Sequence, residues 1–240
     1  LENDLTSYHK LRNTPSRPDA VSRMSPYLHY GHVSPFRLAR EALEADLPGT
    51  EKFIDELITW REMAHYFCFQ HPDYDQLSVL PAWAQETLKE HAGDPRRTIY
   101  SWEELAHART DNSFWNLCQE WLLRHGELHN NLRMTWAKQL LHWTETPERA
   151  LKIAIDLNDR YALDGGDPNS YLGILWCFGG FDRPFDRDAP VTGSLRPRST
   201  SWHASQTDTQ LLRAIIRSGP FRKPIHVGIV GAGLAGAACA

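Results

Sequence analysis

One stretch, residues 115–176, restricts what this chain can become more than any other. Its densest part runs from Glu127 to Trp143, where Leu128, Leu132, Trp136, Leu140 and Trp143 recur at helical spacing. That period predicts a buried helix. The segment after it, Ala154 to Asn169, ends a helix and opens a loop crowded with Asp and Asn. A buried aromatic helix beside such a loop is suited to hold a large, partly polar cofactor.

Length and composition fit this picture. A chain of 240 residues can bury a sizeable core, as one domain or as one domain plus a fragment. A hydrophobic fraction of 41% and a charged fraction of 23% are ordinary for a globular protein, whereas nine Trp need a reason. The net charge of −4 does not advertise a nucleic-acid partner, although an average conceals local distribution. Cys68, Cys118, Cys177 and Cys239 form no Cys-x-x-Cys pair, so neither zinc nor a disulfide framework is indicated. No His-Glu-x-x-His spacing occurs among the twelve His, and no metal is expected. No apolar run is long enough to span a membrane.

Taken in order, the chain reads as helices separated by Pro and Gly. Leu1 is not a start methionine, and the opening residues look like the interior of something longer. After the loop at Pro15 and Pro18, Ser22 to Gly31 offers hydroxyls and backbone N–H groups near a helix start. These can hold a phosphate or form a plain Ser-Pro turn. Ser34 is placed to cap a helix to about Ala45, and Thr50 one to about Phe69. On the latter, Glu56 and Trp60 are four apart and share a face. They form either a grip for a base-like ligand or a rim carboxylate beside a core indole. Short helices are expected at 82–91 and 101–108. A longer one carries Trp115, with Asp111 or Asn112 as cap and Gly126 at its end. Another spans about 146–157, with Pro147 in its first turn. Tyr171 to Phe178 is a short apolar segment containing Trp176. No strand is convincing this far, so the body should be all-α.

From Arg183 the character changes. Arg183, Arg187, Arg196, Arg198, Arg213, Arg217, Arg222 and Lys223 stand against Asp186, Asp188 and Asp208. This is either a solvated tail or a phosphate-contact surface. Then Pro224 to Val230 reads as a strand, and Gly231-Ala232-Gly233-Leu234-Ala235-Gly236 follows as a dinucleotide-binding fingerprint. The expected organisation is a helical domain over 1–198, a linker over 199–223, and the incomplete βα start of a Rossmann domain over 224–240.

Several stretches together resemble the flavin-binding, catalytic half of DNA photolyases and cryptochromes, closest to the class II cyclobutane pyrimidine dimer photolyases. They are Ser22-x-Met24-Ser25-Pro26-Tyr27-Leu28-His29-Tyr30-Gly31, Glu56 to Glu62, Trp115-Asn116, Leu132-Arg133-Met134-x-Trp136-Ala137-Lys138, Leu157 to Tyr161, and Leu163-Asp164-Gly165-x-Asp167-Pro168-Asn169. The resemblance covers roughly residues 5–198, in order. It implies an all-helical domain binding FAD, active in its reduced, anionic form. It also implies light-driven repair of a pyrimidine dimer flipped out of damaged DNA. Position by position, Tyr8, Ser22, Ser25, Tyr27 and Leu28 would contact the phosphates and adjoining parts of FAD. Arg133 and Asp164 would pair against the flavin ring, and Asn158 would face flavin N5. Glu56, Trp60, Met134 and Trp176 would line the dimer pocket, with Glu56 hydrogen-bonding the dimer. Trp136, Trp115 and Trp143 would pass electrons to the flavin. Trp136 and Trp143, seven apart on one helical face with about 10 Å of rise between them, suit hopping or a core stripe. Arg196 would fill the hole that the dimer leaves.

Four departures from the class II pattern stand out: Gly166 for Arg, Thr135 for Tyr, Glu127 for Lys, and the segment after Arg196. No N-terminal antenna domain is in the sequence, so an antenna chromophore is not supported. A monomer is expected, cytoplasmic and DNA-associated, or nuclear in a eukaryote. The competing readings are a cryptochrome-like light receptor without repair, the beginning of a fused FAD-dependent oxidoreductase, and a degenerate fragment that no longer binds FAD.

Overall fold

The computed structural model describes residues 2–218. The strand and glycine fingerprint expected over 224–236 lie outside the described residues. Thirteen α-helices are present among those described, and no β-strand. They are α1 (Glu2–Leu11), α2 (Ser25–His29), α3 (Pro35–Ala45), α4 (Thr50–Ile54), α5 (Arg61–Gln70), α6 (Ala82–Glu90), α7 (Trp102–Ala106), α8 (Ser113–His125), α9 (Asn130–Gln139), α10 (Pro147–Tyr161), α11 (Pro168–Cys177), α12 (Thr200–Gln206) and α13 (Thr209–Ser218). None is long and apolar enough to cross a membrane.

Local chemistry explains most boundaries. Asn112 accepts from Trp115 N to start α8, Thr146 from Arg149 N to start α10, and Asp167 from Asn169 N to start α11. Ser101 and Glu104 close a reciprocal capping box on α7. Gly126 ends α8 at φ 63°, a left-handed conformation that costs glycine little. Two expected caps are corrected. Ser34 occupies the cap position of α3 but its side chain accepts no cap bond. Thr50 lies inside α4, and its hydroxyl instead donates to Ala42 O and accepts from Leu47 N. Gly49 takes the cap position because a Cβ there would collide with the Leu5 carbonyl of α1.

The helix expected from Thr50 to Phe69 is continuous, but its middle, Asp55–Trp60, is π-helical. A π turn inserts an extra residue and is frequent at functional sites. The segment expected as a linker also differs. Within 199–218 the chain forms α12 and α13, with Thr200, His203, Leu212 and Ile216 buried, and α13 packs on α8. α10 runs to Tyr161, one turn past its expected end, so Asn158 is helical.

Two apolar clusters hold the molecule. The larger gathers α8 to α11 around Trp115, Trp136, Leu132, Leu157 and Phe178. The smaller joins α1, α3 and α4 through Leu5, Tyr8, Leu38, Ala42, Phe53 and Leu57. Burying one such large side chain contributes roughly 1.5–3 kcal/mol, which fixes both clusters firmly.

Candidate functional site

A cavity of about 460 Å³ is lined by residues of both clusters. Tyr8, Ser22, Ser25, Leu28, Glu56, Trp60, Arg133, Asp164 and Trp176 all stand on its wall. These residues come from six separate stretches of sequence and were expected to share one site. The π turn carries Glu56 and Trp60, and α11 carries Trp176. The Trp60 and Trp176 rings meet at 5.0 Å with a 45° tilt.

Electrostatically the cavity is a ring of paired arginines. Arg12 bonds Glu56 at 2.8 Å, and Lys52 bonds Glu56 at 2.9 Å. Arg133 meets Asp164 at 3.2 Å. Arg23 forms a two-pronged pair with Glu127 at 2.6 and 2.8 Å. The carboxylate that replaces a lysine therefore brings its own counter-charge across the cavity wall. Arg61 grips Asp167 at 3.1 and 3.0 Å in a buried, two-pronged pair. Burial raises the Tyr8 phenol, with Arg12 opposing. Burial also pushes the His129 imidazole down to about 4.

His129 caps α9, its Nδ1 accepting from Asn131 N, so the ring must stay neutral in the fold. Its folded pKa lies below the unfolded value of 6.5, so the unfolded chain binds the extra proton between the two. Stability contributed by this group is complete above pH 6.5 and is lost as pH falls toward 4. We expect urea midpoints to fall across that window, as the unfolding free energy drops by about 3 kcal/mol. A His129→Gln variant should show a flatter profile; an equally steep one would assign the acid loss elsewhere.

The larger core cluster contains a row of rings. Trp136 and Trp115 are stacked, 6.1 Å apart and 9° from parallel. Trp115 meets Trp143 edge-on at 5.3 Å, and Trp143 meets Tyr100 at 5.2 Å. Trp115 Nε1 donates to Trp136 O, and Trp136 Nε1 donates to Gln119 Oε1, both at 2.9 Å, so neither indole is free to turn. Trp115 therefore sits between the pair seven residues apart and contacts both.

Besides the three tryptophans of this row, four expected site residues are not on the cavity wall. Tyr27 is 52% exposed and packs on His32. Met134 is half-buried, its carbonyl accepting from Cys177 Sγ. Asn158, on α10, is fully buried. Its Nδ2 donates to Asp159, while its Oδ1 is buried without a partner. Arg196 lies at a different cleft, in a two-pronged pair with Asp182 and over the Phe185 ring. Two departures also find physical settings. Gly166 adopts φ 76° and donates its N–H to Asp159, a backbone in which an Arg would be strained. Thr135 is buried against Asn131 O and His203.

The sequence reading missed Arg12, Arg61, His129, Gln119 and the structural weight of Asp167. Arg12 stands four residues after Tyr8, and Asp167-Pro168 is a helix-start signature, so both signals were present. The donor set suits an aromatic cofactor carrying phosphates. Arg133 has one edge on Asp164, and its Nε is buried without a protein partner, while Ser22 and Ser25 bring hydroxyls to the same wall. The residues therefore fit FAD.

No family model matches the chain. A deoxyribodipyrimidine photo-lyase from Oryza sativa subsp. japonica is 42% identical over 199 residues, 82% of this chain and 39% of that protein. One from Methanothermobacter thermautotrophicus is 44% identical over 197 residues, 82% of this chain and 43% of that protein. One from Potorous tridactylus is 40% identical, covering 77% of this chain and 35% of its own length. A class III photolyase from Agrobacterium tumefaciens superposes with a TM-score of 0.68 at 19% identity, over 88% of this chain and 41% of its own, and so shares the fold. The chain spans about two fifths of the length of the relatives it matches. Over 197–199 residues, 82% of its length, the chain is a relative of the deoxyribodipyrimidine photo-lyases.

Proposed function

We propose that this chain forms the FAD- and dimer-binding part of a light-driven DNA repair lyase acting on cyclobutane pyrimidine dimers, closest to class II. The observation that carries this reading is one cavity bounded by a paired Arg133–Asp164, a Trp60–Trp176 aromatic wall and Glu56, with a row of tryptophans in the larger core cluster. Reduced, anionic FAD, when bound, supplies one electron on excitation and recovers it after the cyclobutane bonds open.

The chain's own residues do the rest. Arg133 and Asp164 orient the flavin ring, and the Ser22–Leu28 loop holds the phosphates. Asn158, on α10, tunes the ring through its buried, partnerless Oδ1. A dimer pairs and stacks poorly, so its extrusion from the duplex is cheap. Trp60 and Trp176 recover roughly 1–3 kcal/mol per base by stacking. Glu56 hydrogen-bonds the dimer, and Arg12 and Lys52 hold its carboxylate in place for that contact. The partner is damaged DNA and the acting unit is a monomer.

The test is repair of irradiated oligo-dT by the FAD-loaded, chemically reduced chain under blue light, followed by recovery of thymine absorbance. Repair is expected, and Glu56→Gln should lower its yield about tenfold, the worth of one charge-assisted hydrogen bond. A chain that binds FAD and reduces it in light, yet leaves the dimers intact, would overturn repair in favour of light reception. A folded chain that stays colourless with FAD would overturn both.

A further inference from the structure

We propose that a second cleft, between the 95–98 loop, the end of α9 and the 187–199 segment, binds a phosphate-bearing anion. The cleft has a volume of about 750 Å³ and shares no lining residue with the first cavity. Arg96, Arg97, Lys138, Arg187, Arg196 and Arg198 stand on its wall against one carboxylate, Asp111. Among the described residues only Arg196 of these six forms an ion pair, with Asp182. Unlike the first cavity, where each arginine brings its own acid, this wall is left with a large excess of positive charge.

Arg96 makes the case specific. Its Nη1 donates to the carbonyls of Ala92 and Asp94 at the end of α6, which holds the guanidinium still. Its Nε and Nη2 are buried and have no hydrogen-bond partner among the described residues. Buried donors in native proteins are almost always satisfied, and a two-edged guanidinium is the group that recognises phosphate oxygens. Lys138 is 4% exposed, with one bond to the Arg196 carbonyl. The charges also act on each other. Burial, then the positive charges of Arg96, Arg187 and Lys138, depress the His142 imidazole on the same wall. Burial is the main cause that brings the Lys138 ammonium down to about 8; Arg198 and Arg196 depress it further, while Cys177 and Asp182 oppose. Like charges packed this closely are destabilising unless a multivalent anion sits among them. Phosphate reaches such a cleft either as nucleic-acid backbone or as a free phosphorylated molecule. The proposal is independent of the repair reading.

Inorganic pyrophosphate is the probe, titrated calorimetrically into the full chain with sodium chloride at matched ionic strength as the control. Saturable binding and a raised melting temperature are expected. Arg97 is exposed and neither it nor Arg187 has an ion-pair partner, so Arg97→Ser with Arg187→Ser should fold normally, keep its FAD content, and bind pyrophosphate at least about tenfold more weakly. No saturable binding by the unaltered chain, an effect that sodium chloride reproduces, or equal affinity in the double variant would each overturn the proposal. Undamaged duplex DNA supplies the two remaining arms, and both support it. Displacement of pyrophosphate identifies backbone phosphate as the source, and retention identifies a free phosphorylated molecule.

Discussion

Asp167→Ala is expected to cost about 4 kcal/mol of folding stability. The Asp167 carboxylate is 4% exposed and takes both prongs of the buried Arg61 guanidinium. It also starts α11 by accepting from Asn169 N and lies 3.3 Å from His29 Nδ1 of α2. Removing one partner of a buried pair strands the other charge, at about 3–5 kcal/mol, and the lost helix cap adds about 1 kcal/mol. A domain of this size has about 5–15 kcal/mol to lose, and each kcal/mol shifts the melting temperature by about 2–4 °C. A fall of about 10 °C or more is expected in thermal denaturation. FAD retention should drop with it, because α5 and α11 carry the arginine and the helix start that keep Trp60 and Trp176 together.

The asymmetry of buried pairs supplies the stricter check. A pair that is lost together leaves no stranded charge, so Arg61→Met combined with Asp167→Asn should be more stable than Asp167→Ala alone. If the single change shifts melting by less than about 2 °C, the pair is not what joins the two walls.

Much of this architecture was legible in the chain. Asn112, one of two expected caps, and Gly126 mark the ends of α8 by chemistry that acts within four residues, and Ser101 and Thr146 cap helices at the bounds expected for them. Part of the cavity wall comes from stretches that carry the family resemblance, namely Ser22 to Leu28, Glu56 to Arg61, Arg133, Asp164 and Asn169. What was illegible depends on contacts between distant segments. Nothing local announces the π turn at Asp55–Trp60, because propensity does not distinguish an α from a π ladder. The helix α13 was hidden by its charge. Counting Arg213 and Arg217 as tail drew attention from Leu212 and Ile216, four apart on the opposite face and buried on α8. Arg196 was assigned by its position in a motif, and the Asp182 pair that holds it at the second cleft lies fourteen residues upstream.

The tryptophan row shows the same limit, and it carries the second large effect. Helical spacing relates Trp136 to Trp143 directly, two turns apart. In the fold α9 ends at Gln139, and the chain tightens into a 3₁₀ turn before Trp143. Trp115, from the neighbouring α8, lies between them with contacts at 6.1 and 5.3 Å. Electron tunnelling weakens exponentially with distance, so two short steps through Trp115 outrun one long step past it. Trp115→Phe is therefore expected to reduce light-driven reduction of bound FAD to background, measured as bleaching of oxidised-flavin absorbance in the presence of a thiol. Dimer repair by chemically reduced chain should persist, because that reaction does not use the row. The substitution also removes the Nε1–H bond onto Trp136 O, a cost of about 1–3 kcal/mol that leaves a folded chain. Trp102→Phe is the control, since Trp102 bonds Asp156 and stands outside the row. Photoreduction that survives in Trp115→Phe but fails in Trp136→Phe would show that electrons leave Trp136 by another route. Survival in both would mean the row is packing, and that its stacked geometry serves the core of α8 and α9 alone.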